Sequence, residues 1–568
     1  MGEVPAISGE TWPEGRTRTL VEAAGIFALS LALNLAGNGR VGLWDRDEPR
    51  YASCTREMIE RGDWLRPTFN GQPRYHKPIL IYWLMRAGYA VGGDNTFGAR
   101  LVSALAGSAT CLLAWRLGRS LFGPEVGLLA GLALATVPIM VAESKLATTD
   151  ATLACLVVAA QGCLWGLNRR DSRGLALGFW ALMALATLLK GPIGPAFVAT
   201  AGLACWAFGG PTACWRRLRW RAGSGVFLAM TLPWFVAVGV ASGGEFFRFA
   251  FRTQVVQRMA TSMEQHGGFP GYYPVVSLAM FYPWSALVPA AVVAAWNRRR
   301  ASPEFGFLLG WMAGPWLLLE CFGTKLVHYY LPCFPSCAIL AAWLVVEVAR
   351  RGDSLRDWRL GTLATKLIGG MGALMAVALA VAGGIAPRPL LLPCLAMAGA
   401  LAAGTGLSRW LLAEGRVLPA SRGLVGTWAV VMGLFVAWFL PSAEPFRFSR
   451  VVGQRLGELA SRTGVRPAMM TFQEPGLVYA LGHPACDVRG YDEMAEEVRI
   501  RGPILVPLLP REVDELREDF RFALREVEPI AGFNLNKGKV EELRFAVIGA
   551  SASLLARSPG HGEQSLVK

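Results

Sequence analysis

The sequence predicts an all-α polytopic membrane protein, with about 13 transmembrane helices and a small soluble α/β domain at its C-terminal end. Of its 568 residues, 53% are hydrophobic and only 17% are charged, whereas a soluble protein of this length needs a larger polar surface. Apolar runs of about 17–24 residues recur along the chain, and this is the length that crosses a bilayer. After about Pro441 the composition becomes mixed and mostly polar.

Thirteen apolar segments are long enough to be predicted as spans. They are residues 20–38, 97–117, 124–142, 151–167, 174–189, 192–208, 223–241, 273–295, 305–321, 329–348, 362–385, 390–412 and 422–440. The first follows Arg16 and Arg18, and no small-residue cleavage site comes after it. We therefore expect a signal anchor that is retained in the mature protein.

The arginines predict the orientation of these spans. With thirteen spans, every arginine cluster between spans falls on the side of the N-terminus, and the positive-inside rule makes that side the cytoplasm. The clusters are Arg116 with Arg119, Arg169–Arg170, Arg216–Arg217, Arg298–Arg300, Arg350–Arg351 and Arg416 with Arg422. An odd number of spans then places the C-terminal domain outside the cytoplasm, which is the periplasm of a Gram-negative cell.

The stretch 78–91, "PILIYWLMRAGYAV", is excluded from the spans. It is short for a membrane crossing and Arg86 interrupts it. Counting it would also reverse the side on which all later arginine clusters lie. We predict a helix at the outer interface, with Tyr82, Trp83 and Tyr89 as an aromatic belt.

The C-terminal part has the pattern of a small α/β domain. Short apolar runs at 468–473, 503–509 and 544–550 predict buried strands, and the segment 511–527 predicts an amphipathic helix. The predicted organisation is a membrane domain over 1–444, a periplasmic domain over 445–550 and a disordered tail over 551–568.

Charge and cysteine content exclude several other classes of protein. The formal net charge of +15 is accounted for by arginine-rich cytoplasmic loops that face anionic lipid head groups. No basic stripe with interleaved aromatic residues indicates a nucleic-acid partner. The 11 cysteines include no CxxC pair, and most lie in apolar runs, so they indicate neither a disulfide framework nor a zinc ribbon.

Ionisable residues gather in four loops on the predicted outer side, where such residues are candidates for function. The first loop contains the acidic and basic segment 45–50 and "RYHKP" at 74–78; the others contain "ESKLATTD" at 143–150, residues 243–273, and "TKLVHYYLP" at 324–332. Lys190 lies in a further turn, "LLKGP".

Each of these residues also has a structural interpretation. Asp47 and Asp150 precede helical segments and could serve only as helix caps. The lysines of the loops could extend along the bilayer surface without binding a ligand. A single histidine is usually structural, whereas several histidines in separate outer loops could form a metal site.

Together the residue types favour chemistry on a lipid phosphate. Several cations beside a membrane, among them Lys77, Lys190 and Lys325, suit a phosphate or diphosphate group. Carboxylates beside them suit proton abstraction from an acceptor hydroxyl, or metal binding. Because no nucleotide sugar is available outside the cytoplasm, we expect a polyprenyl-phosphate-linked donor and no nucleotide. The residues therefore suggest a glycosyltransferase.

The same segments resemble the signatures of a known superfamily. "DRDEPRYASCTREM" (45–58) and "HKPILIYW" (76–83) resemble the DE-x-RYA…REM and KPP-x-x-YW signatures of the dolichyl-phosphate-mannose protein mannosyltransferases. The bacterial branch of that superfamily includes the 4-amino-4-deoxy-L-arabinose transferases that modify lipid A. Further similarities follow in family order and span nearly the whole chain: "TTDATL" (148–153), "LLKGPIG" (188–194), "HGGFPGYYP" (266–274), "TKLVHYYLP" (324–332) and "GFNLNKGKVEEL" (532–543).

The resemblance implies a GT-C fold glycosyltransferase that uses an undecaprenyl-phosphate sugar in the bacterial inner membrane. It implies that Asp47 is the essential first-loop acid and Asp150 the second acid. The residues that it assigns to the lipid phosphate are Arg50, Lys77, Lys190, Arg258 and Tyr329. It also implies a divalent metal ion (zinc, magnesium or manganese) at His76 and His266, although the arabinose branch usually has glutamate at the position of His76.

The expected reaction is a single displacement at the anomeric carbon, with inversion. Asp47 either deprotonates an acceptor hydroxyl or orients it, and only the orienting role applies if the acceptor is a phosphate, as on lipid A. The acceptor can be lipid A, another glycan or glycolipid, or a protein. Other functions that remain open are a transporter of lipid-linked sugars, an oligosaccharide ligase and a sensor.

Overall fold

The computed structural model describes residues 12–44, 47–250, 252, 268–355, 358–534 and 539–551. Arg258, His266 and residues 552–568 of the tail predicted to be disordered over 551–568 lie outside these residues. The described chain divides into two compact units. The first, called the helical unit, draws on residues 1–41, 63–66 and 74–442, and the second, called the mixed unit, draws on 42–62, 67–73 and 443–568.

The helical unit is built almost wholly from α-helices. In chain order these are α1 (Trp12–Leu35), α3 (Leu80–Gly92), α4 (Thr96–Phe122), α5 (Pro124–Thr136), α6 (Pro138–Ser144), α7 (Asp150–Arg169), α8 (Arg173–Lys190), α9 (Ile193–Ala207), α10 (Ala213–Arg217), α11 (Trp220–Ala241), α12 (Glu245–Phe249), α13 (Tyr272–Met280), α14 (Val288–Arg298), α15 (Pro303–Glu320), α16 (Phe334–Arg351), α17 (Arg359–Ile385), α18 (Arg388–Ala413) and α19 (Val417–Leu434). Short 3₁₀ segments lie at Trp284–Ala286 and Val327–Cys333, and a π-helical turn at Phe435–Phe439 continues α19.

Within the described part of the chain, nine helical segments are long and apolar enough to cross a membrane, or ten if one bent pair counts as a span. They are Gly15–Leu35, Thr96–Phe122, Asp150–Arg169, Arg173–Lys190, Trp220–Ala241, Val327–Arg351, Arg359–Ile385, Arg388–Ala413 and Val417–Phe446. All nine coincide with predicted spans. The prediction of a helical polytopic membrane protein is confirmed.

The other four predicted spans are helical but interrupted or shorter. The span 124–142 is the bent pair α5 and α6, whose axes differ by 62°, and Pro138 begins the second helix. Helix α9 has only 15 residues, and 273–295 divides into α13 and α14. The fourth corresponds to α15. Membrane crossing by these segments stays a prediction.

Helix α3, from the stretch excluded from the spans, packs against α4. Glycine at position 92 allows the two backbones to approach closely, because a Cβ added there would lie only 2.9 Å from the Cα of Gly98. Tyr82 and Tyr89 are 1% and 5% exposed, so the prediction that they belong to an interfacial aromatic belt is wrong. An aromatic ring accommodates the charge of Arg86 within this helix. The guanidinium lies 3.7 Å from the ring centroid of Trp64, within the range of a cation–π interaction.

The mixed unit contains a five-stranded sheet in the order β4-β3-β5-β7-β6. The strands are β3 (Arg466–Met469), β4 (Cys486–Asp487), β5 (Ile504–Leu508), β6 (Phe522–Asn534) and β7 (Lys539–Ala550). Strand β3 pairs in parallel with β4 and β5, whereas β7 is antiparallel to β5 and β6. The short helix α20 (Leu440–Ala443) ends the helical unit. The helices of the mixed unit after it are α21 (Phe448–Thr463), α22 (Pro475–Leu481), α23 (Tyr491–Arg501) and α24 (Pro510–Glu518), with a 3₁₀ turn at Glu444–Phe446. The predicted α/β class of this domain is confirmed.

One element of this domain was predicted wrongly. The segment 511–527 is a helix only as far as Glu518, and its second half belongs to strand β6. The change occurs in "FRFALREVE", where burial follows the period of a strand, with Phe522 buried and Ala523 and Arg525 exposed. Strand β6 then pairs with β7 along the whole of β7, from Phe522 opposite Ala550 to Asn534 opposite Lys539.

Two segments of the first loop fold with the C-terminal domain. They are helix α2 (Asp47–Glu60) and a two-stranded hairpin of β1 (Thr68–Phe69) and β2 (Gln72–Pro73). The predicted domain boundaries at 444/445 and 550/551 stay a prediction, but this participation of the first loop is a feature that the sequence did not indicate.

The carboxylate of Glu57 joins α2 to this hairpin. It accepts hydrogen bonds from the hydroxyl of Thr68 and from the backbone N–H groups of Asn70 (2.7 Å) and Gly71 (3.2 Å). Asn70 in turn exchanges two hydrogen bonds with the backbone of Ala485, of 2.8 and 2.7 Å. The hairpin is thereby fixed to the C-terminal domain.

Candidate active site

A buried ion pair joins the start of α7 to the end of α8. Asp150 is the first residue of α7 and Lys190 the last of α8. The two helices are consecutive and joined by a short turn, so the end of one returns to the start of the other. The Nζ of Lys190 lies 2.6 Å from an Oδ of Asp150, and both side chains are about one-tenth exposed, 11% and 9%. The acid at a helix N-terminus and the cation at a helix C-terminus also match the two helix dipoles.

His328 lies between two carboxylates of the same region. Its Nε2 is 3.9 Å from Asp150 Oδ1, and its Nδ1 is 3.6 Å from an oxygen of Glu143, which is 5% exposed. The imidazole sits on the 3₁₀ segment Val327–Cys333, and Glu143 on the last turn of α6. The cluster thus contains two acids, a lysine and a histidine, and its two acids are less than one-tenth exposed.

Next to this cluster is a cavity of about 660 Å³. Its polar wall contains Lys190, Lys77, His76, Thr324 and Tyr329. The Nζ of Lys190 lies 5.1 Å from the ring centroid of Tyr329. Lys77 is also close enough to Asp150 for an attractive Coulombic interaction. Four predicted residues of the helical unit, Asp150, Lys77, Lys190 and Tyr329, are thus brought together.

The rest of the cavity is apolar and aromatic. The lining side chains come from α7, α9, α11, α12 and the end of α15: Leu153, Ile193, Ala196, Phe197, Phe235, Phe246, Phe247, Leu318, Leu319 and Phe322. Such a cavity, with cations at one end and hydrocarbon surface in its body, suits an amphiphile with an anionic head group.

The predicted first-loop residues Asp47 and Arg50 lie in the mixed unit. Asp47 begins α2, its side chain is 62% exposed, and its carboxylate is 3.7 Å from a guanidinium nitrogen of Arg50. Glu48 beside it is 1% exposed and accepts a hydrogen bond of 2.6 Å from the backbone N–H of Trp44. The neighbouring acids therefore differ: Asp47 is presented to solvent, whereas Glu48 stabilises the start of the helix.

Lys325 is engaged in a different interaction from the other predicted lysines. Its ammonium forms an ion pair with Glu320 and donates a 3.1 Å hydrogen bond to the carbonyl of Phe269. Its side chain is 4% exposed, and the neighbouring Thr324, not Lys325, lines the cavity. Contact of Lys325 with a lipid phosphate stays a prediction.

The predicted metal site is only half described. His76 lies at the cavity, with its ring 4.7 Å from that of Phe249, whereas His266 is outside the described residues. Among the residues that the structure describes, no three His, Cys, Asp or Glu side chains are grouped in a way that would hold a metal ion. The metal ion and its two histidines stay a prediction, as does the role of Arg258.

Sequence reasoning singled out the right segments but missed the roles of two residues of the cluster and of Glu320. Glu143 was noted only as a member of "ESKLATTD", His328 only as one of three outer-loop histidines that could form a metal site, and Glu320 only as the end of a span. The signal that could have found Glu320 is its position, since a carboxylate at the end of an apolar helix and five residues before a lysine needs a partner.

The described helices and this cavity define a class of protein, a multi-span helical membrane protein with a small α/β unit. Two solved structures share this fold. The crystal structure of ArnT from Cupriavidus metallidurans in the apo state matches with a TM-score of 0.74 and 23% identity, over 95% of this chain and 99% of that chain. The structure of the same protein bound to undecaprenyl phosphate matches with a TM-score of 0.71, over 96% and 99% of the two chains.

Sequence comparisons confirm the predicted resemblance. Residues 76–236 match the family model of the dolichyl-phosphate-mannose-protein mannosyltransferases. An undecaprenyl phosphate-alpha-4-amino-4-deoxy-L-arabinose arabinosyl transferase of Pseudomonas paraeruginosa is 33% identical over 327 residues, which are 55% of this chain and 58% of the relative. A relative of the same name from Edwardsiella ictaluri is 32% identical over 61% of this chain and 63% of its own length. The aligned part thus spans less than two thirds of these relatives.

Proposed function

We propose that this protein is an integral-membrane glycosyltransferase that takes its sugar from an undecaprenyl-phosphate donor. The observation that carries the proposal is the cavity, in which Lys77, Lys190 and Tyr329 form a polar end beside a large aromatic and aliphatic body. A polyprenyl chain requires such a body, and a phosphodiester requires such cations. The names of the relatives, which specify an undecaprenyl phosphate-linked sugar, support the same donor.

The leaving group in this reaction is the lipid phosphate. As the bond from the anomeric carbon to the phosphate oxygen breaks, negative charge grows on the phosphate, and the ammonium groups of Lys77 and Lys190 stabilise it. Asp150 orients Lys190 through the 2.6 Å contact and, being held by that cation, is a poor general base. The reaction is a single displacement with inversion at the anomeric carbon.

Asp47 is the residue that we assign to the acceptor. Its exposed carboxylate at the first turn of α2 accepts the proton of an acceptor hydroxyl, or orients the acceptor if the nucleophile is already a phosphate. We propose an aminoarabinose-type sugar, because the names of the relatives specify one, and a lipid A type of acceptor, which the sequence resemblance implies. A protein or another glycan is the alternative acceptor within the same superfamily.

The proposed site faces the periplasm in the inner membrane, with the N-terminus in the cytoplasm. The distribution of arginines between the spans supports this orientation. The mixed unit is then periplasmic, and so are Asp47 and Arg50. A divalent metal ion at His76 and His266 is part of the proposal, and would act by polarising a phosphate or acceptor oxygen.

The test is transfer by the purified full-length protein in nanodiscs, with undecaprenyl-phosphate aminoarabinose and lipid A as substrates and mass spectrometry of the product. We expect one sugar increment on lipid A with the wild type. Lys77→Gln should lower kcat/KM about 10²–10³-fold, because it removes a cation from the leaving phosphate. Lys366→Gln is the matched control, since Lys366 is an exposed lysine of α17.

Three outcomes would contradict parts of the proposal. Transfer to a peptide or another glycan, but not to lipid A, would leave the donor chemistry intact and replace the acceptor. Equal activity of Lys77→Gln and Lys366→Gln would show that the cavity is not the site that binds the phosphate. Movement of the donor across the bilayer without any transfer would favour a transporter.

A further inference from the structure

One arginine joins residues 42–44 of the first-loop segment to the C-terminal part of the mixed unit. Arg447 lies between the 3₁₀ turn Glu444–Phe446 and helix α21. Its guanidinium donates a 2.6 Å hydrogen bond to the carbonyl of Gly42 and a second bond to the carbonyl of Leu43. The side chain is only 4% exposed, so these two bonds form away from water.

Two further contacts hold this guanidinium in place. It lies 4.7 Å from the centroid of the Trp44 ring, within the range of a cation–π interaction. One guanidinium nitrogen is also 3.3 Å from a carboxylate oxygen of Glu444, which balances the buried charge. The approach is close, because a Cβ added at Gly42 would lie 2.8 Å from the other oxygen of Glu444.

A chain of contacts connects Arg447 to the start of α2. The same Trp44 that lies against the guanidinium donates its backbone N–H to Glu48 at 2.6 Å. Glu48 is buried and follows Asp47 directly. Arg447 therefore contacts three consecutive residues, Gly42 to Trp44. The hydrogen bond from Trp44 to Glu48 then holds the first turn of α2, the helix that begins with Asp47.

We propose that Arg447 is a positioning residue for Asp47, and that the C-terminal part of the chain thereby sets the geometry of the acceptor side of the reaction. The inference rests on the proposed function, in which Asp47 handles the acceptor. Arg447 acts through the backbone of residues 42–44 and contacts neither substrate nor reacting atoms. Arginine suits this task better than lysine, because its planar fork reaches two carbonyls at once.

The decisive experiment is chemical rescue of Arg447→Ala in the full-length protein. The substitution should lower kcat about 10²-fold, since a displacement of about 1 Å can cost that much. The KM for the donor should stay within about twofold, because the cavity is lined by residues of the helical unit only. Added guanidinium ion should raise the kcat of Arg447→Ala at least tenfold, and methylammonium should raise it much less.

Two further variants keep the inference testable if Arg447→Ala is poorly folded. Arg447→Lys retains the charge but not the fork, and we expect an intermediate loss of kcat. Arg455→Ala is the control on the same helix, because Arg455 pairs with Glu458 and Glu528 instead of the first loop. Hydrogen exchange should be faster at residues 48–55 in both Arg447 variants, but not in Arg455→Ala.

The possible results separate this inference from the proposed function. If the wild type transfers no sugar, the proposed function fails, while the exchange measurement still reports whether Arg447 fixes α2. If the wild type transfers sugar and Arg447→Ala does so at the same rate, the positioning role is refuted. Equal rescue by guanidinium and methylammonium, or a loss confined to donor KM, would also overturn it.

Discussion

At the scale of single residues, the site depends on charges that are held by other charges. Asp150 and Lys190 form a buried pair, and His328 is placed within 4 Å of Asp150 and Glu143, at 3.9 and 3.6 Å. Removing one charge of a buried pair is costly because the other is left without compensation, whereas removing both can be nearly neutral.

The Asp150–Lys190 pair therefore allows a stability prediction that does not need the reaction. Asp150→Asn and Lys190→Met should each destabilise the helical unit by about 3–5 kcal/mol. The double variant should be more stable than either single variant, since neither charge of this pair is left without the other. Thermal unfolding in detergent, followed by tryptophan fluorescence, measures the comparison. If the double variant is destabilised by the sum of the two single effects, the two residues do not interact.

Residue types predicted the centre of the site better than its periphery. Asp150, Lys77, Lys190 and Tyr329 were expected to meet because unusual residues at the ends of apolar helices are rarely accidental. The contacts of Glu320 and Lys325 with the backbone of Gly271 and Phe269 could not be predicted, because no sequence pattern reports how closely the end of α15 approaches that segment.

At the scale of elements, the ion pair of Glu320 and Lys325 holds the end of α15 to the segment 268–271 through hydrogen bonds to the backbone of that segment. Glu320 accepts hydrogen bonds from Trp316 Nε1 (2.9 Å) and from the backbone N–H of Gly271 (3.2 Å). Lys325 completes the link through Glu320 and the carbonyl of Phe269. These contacts precede α13 and adjoin Thr324, which lines the cavity.

A charge reversal distinguishes such a link from direct phosphate binding by Lys325. Lys325→Glu should lower transfer strongly, because it places two acids together. Glu320→Lys combined with Lys325→Glu should recover at least part of the lost activity if the pair is a link between elements, because an opposite-charge contact is restored. No recovery, together with a loss of undecaprenyl phosphate binding, would instead support the predicted phosphate contact. Transfer and donor binding are measured on the same preparations.

Element prediction worked where the residue period was unambiguous. The nine apolar helices were found because a long run of apolar residues has few alternative structures in a membrane. The segment 511–527 was predicted wrongly as one helix because the helix over 510–518 is followed after only three residues by strand β6. The belt tyrosines of α3 were misplaced because an aromatic residue in an interfacial helix and one packed on α4 have the same sequence pattern.

At the scale of the whole molecule, acid residues of the mixed unit predict a pH dependence of its stability. Hydrogen bonds from the guanidinium of Arg455 lower the pKa of Glu528. Arg455 belongs to α21 and Glu528 to β6. A carboxylate whose pKa is lower in the folded state contributes stability above its unfolded pKa, and this contribution is lost as the pH falls through the lowered value.

The pair should therefore stabilise the mixed unit at neutral pH and lose its effect below about pH 4.5, the ordinary pKa of glutamate. We expect hydrogen exchange in residues 448–534 of the full-length protein, corrected for the intrinsic rate, to accelerate on acidification. Glu528→Gln should show a smaller acceleration, because it has no carboxylate to protonate. An identical pH dependence in the two proteins would show that other acids account for the effect.

The interleaved composition of the mixed unit also has a consequence for biosynthesis. Its first segments emerge from the ribosome long before residues 443–551, because residues 74–442 are made in between. At about 5–20 residues per second, that interval lasts on the order of 20–75 s. During this time Asn70 of the hairpin lacks its partner Ala485, and residues 42–44 lack their partner Arg447. The nascent first loop must therefore persist in an incomplete state until translation ends, and during that interval it is open to proteins that bind unfolded chains.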